Sequence, residues 1–286
     1  MVELILCIVA CALLVISFKI FERLKISSFV AIVVNYGVAG SMGFIVDPST
    51  TALFTRYNEP WFLNGCILGF IFISNFYMMA LSAQKIGASV TSVASKMSLV
   101  VTVMFGIIYL NEAVNVQKII GITMALASVF FITQINTREV NKKYLFLPLL
   151  LFFGGGFIDI SLNYNQVTYL KDGGSGMFSA TTFMSAFVLG FIILIYRLIT
   201  KKIKLDVKSI AGGLVLGIIN WLSIFLLLLT LKNPAWDSST VYTLVNIGIL
   251  LLVVLAGVLV FKEKLNGKQW LGLLLALTAI IIISLA

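Results

Sequence analysis

The chain has 286 residues, 60% apolar and 11% charged, with a mean hydropathy of +1.11 and a net charge of +9. Soluble domains carry about 25% charged residues, so too little polar sequence remains to cover a soluble core, and repeated apolar runs of about 20 residues define a polytopic helical membrane protein. In a soluble chain the basic excess would suggest nucleic acid; here it lies mostly in short connections and reads as topological signalling, with no nucleic-acid partner expected.

Hydropathy and turn signals predict ten membrane helices, at 2–20, 28–46, 61–83, 87–110, 116–134, 143–168, 174–198, 208–231, 237–261 and 267–285. Met1 to Ile20 lacks a basic leader and a small-residue cleavage site, and reads as the first membrane helix. Cys7 and Cys11 sit one turn apart in it, with Cys66 further on. The chain has no His to complete a metal or redox site, so small apolar packing is expected, and no cofactor. The lack of His also removes the commonest general base. No glycine-rich phosphate loop or nucleophile elbow is present, so an enzyme is not expected.

Asp47 to Pro60 reads as a surface loop, and the polar segment Asn136 to Lys143 divides the chain into halves 1–136 and 137–286. The halves repeat. Gly87–Gln134 aligns without a gap on Ser238–Leu285 at an offset of 151, matching Gly106 with Gly257, Glu112 with Glu263, Asn115 with Asn266 and Gly121 with Gly272. The third and eighth helices match at an offset of 148, with Gly65 and Gly69 on Gly213 and Gly217. Both therefore present Gly-x-x-x-Gly, which lets helix backbones approach closely in lipid. Gly43-Phe44 matches Gly190-Phe191 in the second and seventh helices, and the first and sixth have diverged most.

Connections between odd- and even-numbered helices differ in charge. Counted in chain order, the odd connections hold 15 Lys and Arg and the even ones only Arg56, Lys118, Lys171 and Lys232. The positive-inside rule then puts both termini outside the cytoplasm. Five helices per half is an odd number, so the expected fold is an all-α membrane protein of ten transmembrane helices in two inverted five-helix repeats. These features resemble the drug/metabolite transporter superfamily, specifically proteins of two EamA-type repeats. The resemblance spans essentially the whole chain and rests on the duplication and on Glu112 and Glu263, each followed nine residues later by Gly121 or Gly272. It implies secondary transport of small molecules, among which the superfamily covers amino acids, drugs and nucleotide sugars. Such proteins are usually drawn with both termini cytoplasmic, against the charge bias.

Lys96 and Asp159 lie near the middle of the fourth and sixth helices, where an ionisable group costs about 2.5–3.5 kcal/mol on insertion scales. They read either as a substrate or proton site, or as an ion pair that only fixes packing. Ser89, Ser92 and Lys96 share one helix face; so do Asp159, Asn163 and Gln166, and Ser239, Thr243 and Asn246. Asn75 and Asn220 add amides at membrane depth, and Tyr36, Tyr77, Tyr164, Trp221 and Tyr242 are aromatic candidates for the same space. The predicted substrate site comprises Lys96, Asp159, Asn163, Gln166, Ser92, Asn75, Asn220, Asn246, Tyr77 and Tyr242. Gly154-Gly155-Gly156 reads equally as a hinge or as close helix packing. Glu112 and Glu263 read as caps on the helices that follow them.

The expected function is secondary transport, as an exporter, of a small polar metabolite such as an amino acid, by alternating access between the repeats. The alternatives are efflux of cationic or aromatic compounds, a membrane-embedded enzyme, and a non-transporting scaffold. Expected partners are a small-molecule substrate, the lipid bilayer, and protons or another coupling ion, in a monomer or homodimer of the bacterial cytoplasmic membrane.

Overall fold

A computed structural model describes residues 2–46, 58–85, 95, 97–132, 144, 146–170, 174–203, 205–260 and 267–284. Among these, ten helices follow one another: α1 Val2–Leu24, α2 Ser28–Val46, α3 Pro60–Lys85, α4 Leu99–Ile108, α5 Val116–Ile132, α6 Phe146–Thr168, α7 Ser175–Ile199, α8 Val207–Lys232, α9 Ser238–Leu259 and α10 Gly267–Ser284. Five of them hold stretches long and apolar enough to cross a bilayer: Ser28–Ile45, Pro60–Met79, Ser175–Ile199, Val207–Lys232 and Ser238–Leu259. α1 runs four residues past its predicted end at residue 20. Hydropathy locates where the membrane ends, but a helix ends where its carbonyls are capped. Lys25 takes a positive φ of 55° and the Ile26 N–H reaches back to the Phe21 carbonyl at 2.9 Å.

The described chain packs as two compact units that cut across the sequence halves. The first holds Met1–Ser74 and Ser161–Lys232, and the second Asn75–Ile160 and Asn233–Ala286. Each therefore combines helices from both halves.

In the first unit, glycines let backbones touch. Gly37 faces Phe187, Gly40 faces Met184 and Gly43 faces Ala180, so the contacts descend α7 as they ascend α2 and the two helices are antiparallel. Gly65 faces Thr181 and Phe178, and Gly69 faces Thr182 and Ser185, so α3 and α7 run parallel. Gly213 faces Val34 and Ala31, and Gly217 faces Val38 and Asn35, so α8 and α2 also run parallel. These contacts map onto one another when the two repeats are exchanged at the offsets of 147 for α2 and α7 and 148 for α3 and α8. Gly37–Phe187 becomes Gly40–Met184, and the α3–α7 seam becomes the α8–α2 seam, residue for residue. Tyr36 and Phe183, which are equivalent to each other, stack at 6.2 Å. An exchange that reverses helix direction is a two-fold about an axis perpendicular to the helices, which is the inverted relation.

Both Gly-x-x-x-Gly motifs thus serve as backbone seams. A β-carbon at Gly69 would lie 2.8 Å from Ser185 Cβ and 2.9 Å from the Ala186 nitrogen, and one at Gly217 would lie 2.6 Å from Val38 Cβ and 2.8 Å from the Asn35 carbonyl oxygen. Backbone atoms do not step aside as side chains do. Gly69→Ala and Gly217→Ala should each cost about 1–3 kcal/mol. Gly267→Ala, with nothing within 4 Å, should cost far less. Thermal melts of the three purified variants in detergent check this; equal midpoints would rule out the seam.

The second unit pairs α4 with α9 and α5 with α10, and packs α9 against α5 and α10. These too are corresponding helices of the two repeats.

Candidate functional site

Asp159 stands in the second unit where three helices meet. The glycine triplet that precedes it in α6 is a packing surface, not a break: α6 is continuous from Phe146 to Thr168. A β-carbon at Gly154 would lie 2.9 Å from Asn75 Oδ1, one at Gly155 would lie 3.0 Å from Ser98 Oγ, and one at Gly156 would lie 2.7 Å from Val101 Cβ. With this bulk absent, α4 lies against α6 in parallel register. Ser98 stands over Gly155, and one turn on the Thr102 hydroxyl donates to Asp159 Oδ2 at 3.3 Å. From α9, the Tyr242 hydroxyl donates to the Asp159 carbonyl oxygen at 2.8 Å. The Ser98 hydroxyl donates to the Ser95 carbonyl at 2.7 Å. The hydroxyl protons of Ser98, Thr102 and Tyr242 are therefore all spent on protein acceptors. Oxygen acceptors therefore gather around Asp159, and among them the buried Asn75 Oδ1 has no described partner.

The other predicted site residues divide. Lys96 and Ser92 lie outside the described residues, as do Ser89 and Glu263. Asn246 sits one turn beyond Tyr242 and donates to its carbonyl at 2.9 Å, an internal helix bond. Tyr77 is 46% exposed. In the first unit, Asn163 is fully buried with neither amide atom bonded among the described residues, and Asn220 Nδ2, Asn35 Oδ1 and Trp221 Nε1 are likewise buried without a described partner. Unmatched polar atoms at such depth suit water or a ligand. Gln166 is already used: it accepts from the Ser175 hydroxyl at 2.9 Å and donates to the Leu170 carbonyl at 3.3 Å, tying the end of α6 to the start of α7. Cys7 is buried and its thiol donates to the Ser223 carbonyl, as its packing role requires.

Three readings of the sequence need correction. Glu112 does not cap the helix that follows it. That task falls to Asn115, whose Oδ1 accepts from the Lys118 N–H at 2.7 Å at the start of α5. Glu112 instead reaches α9, 126 residues away. It accepts from the Ser238 N–H at 2.9 Å, from the Ser239 N–H at 3.2 Å, and from the hydroxyls of both serines. Ser239 accordingly belongs to this clamp in the first turn of α9, not to a midplane stripe with Asn246. Thr243, on the same face, donates to the Ser239 carbonyl at 2.6 Å. Around the clamp, Lys118 pairs with Asp237 at 2.7 Å and stands 3.6 Å from Glu112. Lys118 is 3% exposed, so this cation, counted as a loop charge from sequence, is a buried ion-pair partner. The first Glu-x-x-Asn thus has two jobs: Asn115 caps its own helix and Glu112 caps a helix of the other repeat.

Residues 1–134 match the EamA-like transporter family. A relative from Haemophilus influenzae, named only as an uncharacterized protein, is 32% identical over 286 residues, covering 96% of this chain and 94% of its own length. A solved crystal structure shares the fold with a TM-score of 0.79 at 12% identity, over 99% of this chain and 96% of that one. The chain belongs to the EamA-like transporter family of the drug/metabolite transporter superfamily. It is an integral membrane protein, and its family is one of small-molecule transporters.

Proposed function

We propose that the protein is a secondary transporter that exports a small polar metabolite such as an amino acid across a bacterial cytoplasmic membrane, by alternating access around a cavity between the two repeats. The observation that carries this reading is Asp159, at mid-helix: Thr102 of α4 donates to its carboxylate, Tyr242 of α9 holds its peptide carbonyl, and neighbouring hydroxyl protons are spent on other acceptors. Such a place accepts donors and positive charge, as an amine supplies. Lys96, three residues ahead of α4 in sequence and outside the described residues, is the cation we assign to a substrate carboxylate. The same ring of acceptors also favours the second reading, efflux of a cationic compound, in which only the amine end matters. Protons or another ion provide the coupling.

Purified protein in liposomes loaded with single amino acids, their N-acetylated forms and lipophilic cations separates these readings. Export of the free amino acid and not of its N-acetyl form supports the first. Export of the cations alone supports the second. No flux of any solute, with or without a proton gradient, rejects both.

A further inference from the structure

Four lysines crowd one end of the first unit. Lys25 closes α1, Lys201 closes α7, Lys202 follows it, and Lys208 lies in the first turn of α8. All four are exposed, and among the described residues none is paired with a carboxylate. Asp206, the acidic residue between α7 and α8, accepts from the Ser209 N–H at 3.2 Å and so caps α8. Two contacts bring the connections together. The Ser27 N–H donates to Ser209 Oγ at 2.8 Å, and the Arg197 guanidinium lies 4.4 Å over the Phe29 ring. The α1–α2 turn therefore abuts the α7–α8 turn, and their positive charge is pooled.

The backbone makes lysine an unusual choice at two of these places. Lys25 has a φ of 55° and Lys201 of 54°, in the left-handed region where helices commonly end on glycine or asparagine. In each case the next N–H reaches back to close the helix, Ile26 to the Phe21 carbonyl and Lys202 to the Arg197 carbonyl, both at 2.9 Å. The other non-glycine residue of positive φ among those described is Asn111, a type that enters this region readily. Glycine would fit both helix ends with less strain. The helix dipole does not require the lysines either, since Arg23 and Arg197 already stand in the last turns of α1 and α7. Apolar surface borders the charge. Val207 and Ile199, at 82% and 76% exposed, are the two most exposed large apolar side chains described, and they flank the turn that carries Lys201 and Lys202. A free anion leaves them bare. An amphiphile covers both, with an acyl chain on the apolar residues and a phosphate on the ammonium groups.

We propose that this end of the first unit binds an anionic phospholipid. Its phosphodiester sits between Lys25 and the Lys201–Lys202 pair, with Lys208 adding to the field, and its chain lies against Ile199 and Val207. The lipid bridges two connections that already touch, and so ties α1 and α2 to α7 and α8. The site requires only that the protein is inserted in a membrane, and it is independent of the transport reading.

The test is a lipid titration of the purified full chain in uncharged detergent, with bound lipid counted by native mass spectrometry. Phosphatidylglycerol should bind, and phosphatidylcholine with the same chains should bind on the order of 10-fold more weakly. Lys25→Gly with Lys201→Gly should lower the affinity for phosphatidylglycerol by on the order of 30-fold, the factor that two lysines near a membrane surface supply. The melting midpoint of that variant without added lipid should hold or rise, because glycine suits both helix ends. Lys232→Ala removes an exposed cation from the last turn of α8, at its opposite end, and should leave the affinity as it was. Parental affinity in the glycine variant overturns the site, as does equal binding of the two lipids. A loss in Lys232→Ala as large as that in the glycine variant shows diffuse attraction and overturns it too. Displacement of the lipid by an equal concentration of inorganic phosphate reveals a simple anion site and overturns the lipid. Where the glycine variant fails to fold, salt decides on the parent protein. Raising it from about 0.1 M to about 1 M shrinks the screening length from about 10 Å to about 3 Å and should weaken phosphatidylglycerol binding on the order of 10-fold. Binding that ignores salt overturns the proposal.

Discussion

Lys96→Met combined with Asp159→Leu should give a protein that inserts and folds but whose transport falls by about 100-fold or more, the scale on which an intramembrane charge acts when it is functional. A buried ion pair that only fixes packing behaves otherwise: apolar residues of similar volume often replace it without loss, and the double variant then recovers what either single variant has lost. The surroundings of Asp159 favour the site. Thr102 donates to its carboxylate, Tyr242 donates to its peptide carbonyl, and Gly154 to Gly156 let neighbouring side chains close on α6 just before it. That arrangement fixes where the carboxylate points. Thr102→Val should therefore lower transport several-fold, since a bond to a charged group is worth about 1.5–3 kcal/mol, with little effect on the melting midpoint. Efflux from liposomes alongside thermal melts distinguishes the cases. Full transport by the double variant would sink the site.

Glu112→Ala should be the most destabilising single change among the described polar residues, at about 3 kcal/mol, because it strips the N–H groups at the start of α9 of their acceptor and leaves the buried Lys118 with the half-exposed Asp237 and the Ala113 carbonyl. The Asp237 pair is discounted here, since its carboxylate is 46% exposed and screened by solvent. Glu112→Gln keeps an acceptor for the serines and should lose clearly less. Melting in detergent at fixed protein concentration gives both values. Equal loss in the two variants would show that the charge, and not the capping bonds, holds α9.

Fold and site were unequally legible in the sequence. The ten helices follow from hydropathy, and the repeat offsets name which helices correspond, α3 with α8 and α5 with α10. The compact units were not legible, because periodicity within a helix says nothing about which half its partner comes from. Asp159 stood out because charge at membrane depth is rare. Thr102 did not, since a lone Thr in an apolar helix bonds most often to its own backbone, as Thr181, Thr182 and Thr230 do. Gln166 looked like part of a polar stripe because spacing alone records a shared face, and it gives no sign that the amide is already tying α6 to α7. Lys118 was hidden by its place near a helix start, where a basic residue is ordinarily a solvated topological signal. Its one clue was Asp237, directly before two serines at the start of a helix of the other repeat.

Because each compact unit draws on both halves, the order of synthesis matters. When the first half has entered the bilayer, the glycine faces of α2 and α3 have no partner until α7 and α8 follow. Roughly 160 residues separate Ser74 from Lys232 in the first unit, a wait of about 10–30 s at translation rates of about 5–20 residues per second. During that time the nascent chain sits among lipids with its seams uncovered. Membrane chaperones and quality-control proteases therefore meet an unfinished protein, and a stop codon anywhere before the eighth helix should leave a fragment destined for degradation and not a half-sized transporter.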